Sequence, residues 1–150
     1  NGRCVWNHAK DRIAYMSTRR NGRDRDVCVM DPRDPASDKL LIECAGGGWS
    51  VCDWSPDDTR LLLMEYLSVN KSCLYLADVS TLRMEPLTDR DTEVSYGGAV
   101  FAADRRGLVE AHDRAGNLTP DGPYEVVVAE SAVATPTPTA ASARPTIMFW

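Results

Sequence analysis

Short apolar runs alternate with polar turns along the first 110 residues, and this pattern is typical of antiparallel β-strands. Apolar residues dominate the segments 60–66 and 72–78, and a short loop, 68–71, separates them. No stretch of ten residues carries apolar positions spaced three and four apart, so we expect no long helix. The pattern therefore predicts an all-β fold.

The predicted strands follow the same order in successive units of the chain. In the first unit they are 12–17, 26–31 and 39–44, separated by a polar hairpin loop at 19–23 and a longer loop at 32–38. In the second unit they are 51–54, 60–66, 72–78 and 83–87. The third unit starts near Val94 and fades after Glu110.

One landmark recurs in all three units. An aromatic residue, a short polar turn and an apolar strand begin at Trp6, Trp54 and Phe101, at intervals of 48 and 47 residues. An apolar strand that ends in aspartate recurs at Asp31 and Asp78, again 47 residues apart. A period of about 40–50 residues is typical of a four-stranded propeller blade. The sequence therefore predicts a partial β-propeller of about two and a half four-stranded antiparallel blades.

The composition changes near residue 111. We expect residues 1–111 to form the partial propeller, with blades at about 3–48 and 49–93 and an incomplete blade at 94–111. Alanine, threonine, proline and serine dominate the segment 131–145, a composition that buries little surface. We therefore expect a disordered or irregular Ala/Thr/Pro-rich tail over 112–150, with one strand in 123–130. Because propellers close with about 4–8 blades, we also expect either a larger parent protein or a fragment of only marginal stability.

The turns and strands of these units resemble known propeller repeats over residues 3–110. Three features are similar to TolB-type, WD-like repeats: the Trp-Ser-Pro-Asp turn at 54–57, the strand 74–78 and Pro-Leu-Thr at 86–88. Two further segments, 46–51 and 96–101, look like the amino-terminal propeller of prolyl oligopeptidase-family serine peptidases. This resemblance implies a propeller that handles peptides or proteins.

One turn departs from the repeat pattern of this family. Asp58 stands where the common Ser-Pro-Asp turn continues with glycine. We expect a left-handed or adjusted backbone there, which aspartate tolerates better than most residues. The carboxylates of Asp53, Asp57 and Asp58 are interpreted as turn caps, since their spacing is not that of an EF-hand calcium loop.

The residues that serine hydrolysis needs are missing from this sequence. It has no Gly-x-Ser-x-Gly elbow, because Cys52 stands where the glycine after Ser50 would be. The two histidines, His8 and His112, fall in predicted turns or loops. The resemblance implies that any catalysis belongs to a hydrolase domain further along a parent chain, so whether the parent is an enzyme stays open.

Composition narrows the cofactors, partners and compartment. The five cysteines form no CxxC pair, so we predict no metal site and no cofactor. Their odd number favours the reducing cytoplasm, with the periplasm as the alternative. A net charge of −5 gives no electrostatic support for nucleic-acid binding, and the longest apolar runs are too short to span a membrane. The expected partners are a peptide substrate or another protein.

The candidate contact residues are three arginines and one tryptophan, namely Arg19, Arg20, Arg23 and Trp49. The arginines, with Arg25, could bind acidic groups of a peptide through bidentate hydrogen bonds. The alternative is a solvated hairpin whose arginines form local ion pairs of little energetic value. Trp49 lies outside the repeat register and is the better surface candidate, whereas Trp6, Trp54 and Phe101 are expected to pack between blades.

Two functions remain open at this point. In the first, the chain is the non-catalytic propeller segment of a prolyl oligopeptidase-like serine peptidase, where it filters or orients peptides for a hydrolase domain. In the second, it belongs to a TolB-like scaffold that binds protein partners without enzymatic activity. A third interpretation is a truncated or decayed reading frame with no function.

Overall fold

The computed structural model describes residues 4–101, 108–112 and 126–127. Within these ranges the chain forms β-strands and no helix, which confirms the all-β prediction. The strands are β1 (Cys4–Trp6), β2 (Ile13–Ser17), β3 (Asp26–Asp31), β4 (Asp34–Ile42), β5 (Trp49–Trp54), β6 (Arg60–Ser68), β7 (Lys71–Asp78), β8 (Met84–Pro86), β9 (Gly98–Phe101), β10 (Leu108–His112) and β11 (Val126–Val127).

The strands form three separate antiparallel sheets in which neighbours in sequence are neighbours in space. Sheet 1 has the order β1-β2-β3-β4, sheet 2 has the order β5-β6-β7-β8, and sheet 3 has the order β9-β10-β11. Polar turns connect consecutive antiparallel strands, as expected where each strand returns beside the previous one. The predicted four-stranded antiparallel blades are confirmed in sheets 1 and 2.

The outer strand of sheet 1 begins earlier than predicted. The loop expected at 32–38 is a two-residue turn, because Asp31 pairs directly with Asp34. The Asp31 carboxylate accepts hydrogen bonds from the backbone N–H and the guanidinium of Arg33 and so stabilises this turn. The strand predicted at 39–44 therefore runs from Asp34 to Ile42.

Sheet 3 extends into the segment that was predicted to be an irregular tail. The strand β11 pairs with β10 through Leu108 with Val127 and Val109 with Val126. These two residues fall within the segment 123–130, where one strand was predicted, and their pairing satisfies backbone groups along the edge of β10. Residues 128–150 lie outside the described residues, as do the expected turn at 102–107 and most of the predicted strand 123–130.

The three sheets stack face to face, and their first strands lie closest to one another. Strand β5 contacts both β1 and β9, so the first strand of each sheet is innermost and the later strands lie further out. One apolar core lies between sheets 1 and 2, and it includes Val27, Trp54 and Leu63. A second core lies between sheets 2 and 3 and includes Leu62 and Ala99. This arrangement is a partial, unclosed β-propeller.

Alternating strand directions give the row of sheets two distinct ends. One end, which we call the loop end, carries the connections 18–25, 43–48, 69–70 and 87–97. The opposite end, which we call the turn end, carries the connections 7–12, 32–33, 55–59 and 79–83.

The recurring aromatic residues share one position in the sheets but not one environment. Trp54 is completely buried between sheets 1 and 2, and Phe101 packs against the core of sheets 2 and 3. Trp6 is 45% exposed, so the prediction that it packs between blades is wrong for the described structure. It lies on the face of sheet 1 that points away from sheet 2, and no described sheet covers that face.

Candidate functional site

The predicted arginine cluster lies at the loop end of sheet 1, in the connection between β2 and β3. Gly22 adopts a left-handed conformation, with φ of 77°, which a glycine accepts without steric cost. The side-chain oxygen of Asn21 accepts hydrogen bonds from the backbone N–H groups of Arg23 and Asp24. This local bonding holds a polar hairpin loop, as the Asn-Gly sequence predicts.

Arg20 is tied into the structure by buried acceptors. Its guanidinium donates to both carboxylate oxygens of Asp26, at 2.8 and 3.0 Å, and to the carbonyl oxygen of Cys44 at 3.1 Å. The hydrogen bond from Arg20 lowers the pKa of Asp26, which is only 1% exposed. The charged pair therefore fastens the loop 18–25 to the connection that follows β4.

Arg19 points to the side of sheet 1 that faces away from sheet 2. Its guanidinium binds both carboxylate oxygens of Asp38, and the hydroxyl of Tyr15 donates to the same carboxylate at 2.8 Å. Burial and then the hydrogen bond to Asp38 raise the pKa of Tyr15 to about 12. For Arg19 and Arg20, the geometry therefore matches the alternative of local ion pairs.

Arg23 and Arg25 differ from these two arginines because they present their guanidinium groups to solvent. The side chain of Arg23 is 87% exposed, and its ion pair with Asp24 is long, at 3.6 Å. Arg25 is exposed, and its backbone N–H donates to the carbonyl oxygen of Gly46. Asp24 accepts a hydrogen bond from the backbone N–H of Gly46, so the two arginines sit beside the Gly46–Gly48 crossover.

Trp49 does not lie on the surface as predicted. It is 5% exposed, its indole N–H donates to the carbonyl oxygen of Ala45, and its ring centre lies 4.9 Å from that of Tyr75. The prediction is wrong because β5 already begins at Trp49, which places this side chain on the same buried face as Val51. Its role as a partner contact stays a prediction that burial disfavours.

The crossover before Trp49 runs very close to sheet 2. A Cβ atom on Gly48 would come within 2.2 Å of the carbonyl oxygen of Tyr66, whose N–H donates to the Gly48 carbonyl. Only glycine fits this approach. This contact therefore fixes the position of the crossover against sheet 2, beside the exposed arginines of the loop 18–25.

Sequence reasoning missed a second polar cluster at the boundary of sheets 1 and 2. The hydroxyl of Tyr75 donates to the carboxylate of Glu65 at 2.8 Å, and Arg90 donates to the same carboxylate at 2.7 Å. Burial and then this hydrogen bond raise the pKa of Tyr75 to about 12. The one signal in the sequence was Glu65, a carboxylate inside an apolar strand. A buried carboxylate needs a polar partner, but the neighbouring residues do not reveal that this partner is Arg90.

Carboxylates at the turn end connect one sheet to the next. Asp58 has a left-handed backbone, with φ of 60°, which confirms the expected turn. Its carboxylate accepts hydrogen bonds from the backbone N–H groups of His8 at 2.7 Å and Ala9 at 2.9 Å. Burial raises the pKa of Asp58, but these hydrogen bonds outweigh that effect and the net pKa is lowered.

The turn-cap interpretation holds for only part of this acidic group. Asp57 caps its own turn by accepting hydrogen bonds from the side chains of Ser55 and Thr59. Asp53 instead accepts the backbone N–H of Phe101 at 2.9 Å, and so connects sheet 2 to sheet 3. Capping within a turn depends on neighbours in sequence, whereas the hydrogen bonds of Asp53 and Asp58 depend on the adjacent sheet, which the local sequence does not show.

Two further properties of the described residues bear on function. They contain no cluster of three or more side chains placed to hold a metal ion. A helix long and apolar enough to cross a membrane is likewise not found among them.

Comparison with solved structures identifies the fold. TolB from Acinetobacter baumannii has 18% sequence identity and a TM-score of 0.54 over 76% of this chain. A putative TolB from Agrobacterium tumefaciens has 14% identity and a TM-score of 0.60 over 78% of this chain. The chain has the fold of a TolB-type propeller segment. An acylaminoacyl peptidase from Pyrococcus horikoshii has 18% identity and a TM-score of 0.52 over 73% of this chain.

The chain spans only part of each of these structures. It covers 30% and 40% of the two TolB chains and 17% of the peptidase chain. No family model matches the sequence, and no curated protein does. The likeness to both groups of propeller agrees with the resemblance seen in the sequence, and at these identities it establishes the fold alone.

Proposed function

We propose that this chain is a non-catalytic propeller segment that binds peptide or protein at its loop end. The observation that carries the proposal is the exposure of Arg23 and Arg25, whose guanidinium groups face solvent. Arg19 and Arg20, in contrast, bind carboxylates of sheet 1. Exposed guanidinium groups recognise carboxylates through paired hydrogen bonds. Acidic segments are therefore the favoured ligands.

Within this proposal, we favour a propeller that orients peptide substrate for the hydrolase domain of a prolyl oligopeptidase-like serine peptidase. It is supported by the likeness of segments 46–51 and 96–101 to that family and by the fold shared with the Pyrococcus horikoshii peptidase. A TolB-like protein-binding scaffold is the second candidate. The TM-score of 0.60 to a putative TolB favours it.

Peptide binding is tested by fluorescence polarisation with a labelled acidic peptide and its basic counterpart. We expect the acidic peptide to bind more tightly, and the double variant Arg23→Glu, Arg25→Glu to weaken its binding by about tenfold or more. The control Arg83→Glu reverses one exposed arginine at the turn end and is compared with the single variant Arg23→Glu, so that both change the net charge by the same amount. Equal binding of both peptides contradicts the proposal, because acidic groups would then not be recognised. An equal loss in the control also contradicts it, because general charge attraction would then explain the binding.

The two candidate settings are separated by labelling the longest natural product with a fluorophosphonate probe. Labelling of a serine in a domain outside these 150 residues supports the peptidase setting, and its absence supports the scaffold. The 150-residue chain alone should not be labelled. Specific labelling of one of its serines would show that the non-catalytic assignment is wrong.

A further inference from the structure

One carboxylate connects the hairpin loop to the crossover beside the exposed arginines. Asp24 lies between Arg23 and Arg25 in the sequence, but it is only 9% exposed. Its Oδ1 atom accepts a hydrogen bond from the backbone N–H of Gly46 at 2.9 Å, and its Oδ2 atom accepts one from the side-chain N–H of Asn21 at 2.7 Å. The hydrogen bond from Asn21 is the largest of the causes that lower the pKa of Asp24. The carboxylate is therefore charged and bound on both oxygens.

The crossover residue that holds this carboxylate is itself fixed to the loop. The carbonyl oxygen of Gly46 accepts the backbone N–H of Arg25 at 2.9 Å, so Gly46 contacts two consecutive residues of the hairpin loop. Arg20 adds a further connection, because its guanidinium donates to the carbonyl oxygen of Cys44. The backbone of Arg25 therefore has its own bond to the crossover, whereas Arg23 has none there in the described contacts.

Arg23 is held instead by Asn21 and Asp24. Its backbone N–H donates to the side-chain oxygen of Asn21 at 3.0 Å, and its Nε atom lies 3.6 Å from Oδ1 of Asp24. A carboxylate on the Nε side leaves the two terminal nitrogens of the guanidinium for a ligand. The side chain of Arg23 is 87% exposed, so that outer edge meets solvent.

Competition between Asp24 and an acidic ligand for Arg23 would be the opposite effect, and the geometry makes it small. The separation of 3.6 Å is beyond hydrogen-bond distance, and an ion pair with an exposed arginine is worth little. Arg20 also lies 3.4 Å from Oδ2 of Asp24 and balances part of its charge. The hydrogen bonds to Gly46 and Asn21 are shorter, so the order that Asp24 gives the loop outweighs its attraction for Arg23.

We propose that Asp24 is the positioning residue for Arg23, an inference that rests on the proposed binding of acidic peptides at the loop end. A loop that is already ordered in the free protein loses less conformational entropy when a ligand binds. Asp24 supplies this order through Gly46 and Asn21, and it directs the outer edge of the Arg23 guanidinium towards the ligand. Removal of its charge should therefore weaken the binding of an acidic peptide, although charge attraction alone would strengthen it.

The variant Asp24→Asn tests this proposal, because the two effects have opposite signs. The amide presents N–H groups where the carboxylate accepts hydrogen bonds from Asn21 and Arg20, so a contact of the network is lost. By fluorescence polarisation with a labelled glutamate-rich peptide, we expect the full 150-residue chain to lose about fivefold in affinity. Tighter binding of this peptide by Asp24→Asn would show that Asp24 acts by charge alone and would overturn the proposal.

Asp31→Asn is the matched control at the opposite end of the same sheet. It removes the same charge and also breaks a turn contact, since Asp31 accepts hydrogen bonds from Arg33. We expect no loss of peptide affinity in this control. A loss equal to that of Asp24→Asn contradicts the positioning role.

A double-mutant cycle separates positioning of Arg23 from a general loss of structure. Once Arg23→Ala has removed the guanidinium, Asp24→Asn should change peptide affinity by less than about twofold. In the background of Arg25→Ala it should keep its full effect, because Arg25 has its own bond to Gly46. Equal losses in all backgrounds would show that Asp24 acts on the fold and not through Arg23.

Circular dichroism checks that each variant folds. If Asp24→Asn does not fold, Asn21→Ala provides the test, since it removes hydrogen bonds to Asp24 and Arg23 without a change in net charge. We expect the same weaker binding, and unchanged affinity overturns the proposal. A wild-type chain that binds glutamate-rich and lysine-rich peptides equally contradicts the proposed function and this inference with it. A preference for the glutamate-rich peptide that Asp24→Asn leaves intact overturns the positioning role alone.

Discussion

Replacement of Trp54 by alanine is the most direct test of the packing between sheets. The side chain is 0% exposed and lies in the core between sheets 1 and 2. Its indole N–H donates to the carbonyl oxygen of Val5 in sheet 1 at 3.0 Å. The guanidinium of Arg12 stacks on its ring at 5.4 Å from the centre. Trp54 therefore connects one sheet to the next through three kinds of contact.

The expected loss of stability follows from these contacts. Truncation of a buried tryptophan to alanine typically costs about 3–5 kcal/mol, because transfer energy is lost and a cavity remains. The carbonyl of Val5 also loses its donor, which contributes about 1 kcal/mol within that range. We therefore expect Trp54→Ala to lower the free energy of unfolding by about 3–5 kcal/mol.

The measurement is urea denaturation followed by far-ultraviolet circular dichroism, because the substitution removes a fluorophore. Trp54→Phe is the control: it keeps a large apolar ring but loses the N–H donor, so we expect a loss of about 1–2 kcal/mol. A change below about 0.5 kcal/mol for Trp54→Ala would be that of a surface site and would refute the packing between sheets.

Two further substitutions test a close backbone approach and an acid-sensitive turn. Gly48→Ala should lower the free energy of unfolding by about 1–3 kcal/mol, because its Cβ would meet the carbonyl oxygen of Tyr66 at 2.2 Å. Gly47→Ala, whose nearest neighbour is 3.9 Å away, should cost far less, and equal losses in urea denaturation would contradict the clash. The hydrogen bond from Ser80 is the main cause that lowers the pKa of Asp78 from 3.8 to about 2. The ionised Asp78 therefore stabilises the fold above about pH 4, and this stabilisation is lost as the pH falls towards 2. Over that interval wild-type stability should fall more steeply than that of Asp78→Asn, and parallel acid-denaturation curves would rule this out.

The strands and turns were predictable from local sequence. Strand β3 begins and ends at the predicted residues, Asp26 and Asp31, and β6 begins at the predicted Arg60. These limits are set by alternating apolar residues and by turn residues with special backbone preferences. The error at β4 arose because the proline and the aspartates near its start suggested a loop, although Pro32 starts a tight turn and Pro35 lies on an outer edge strand that tolerates it.

The candidate site was predictable only in outline. The arginine cluster was placed correctly in a hairpin loop, but the sequence could not distinguish Arg20, which binds the buried Asp26, from the exposed Arg23. That distinction depends on which carboxylates reach the loop from other strands. The cluster of Glu65 and Arg90 was missed for the same reason, since 25 residues separate the two partners.

The sequence by itself determined the repeated unit: its period, most of its strands and turns, and the left-handed turn at Asp58. Only the tertiary structure decided which copies of that unit are covered. Trp6 and Trp54 occupy the same position in similar strands, yet one is exposed and the other is fully buried. Strand formation depends on alternation over a few residues, whereas burial depends on a second sheet that brings residues distant in sequence against the face.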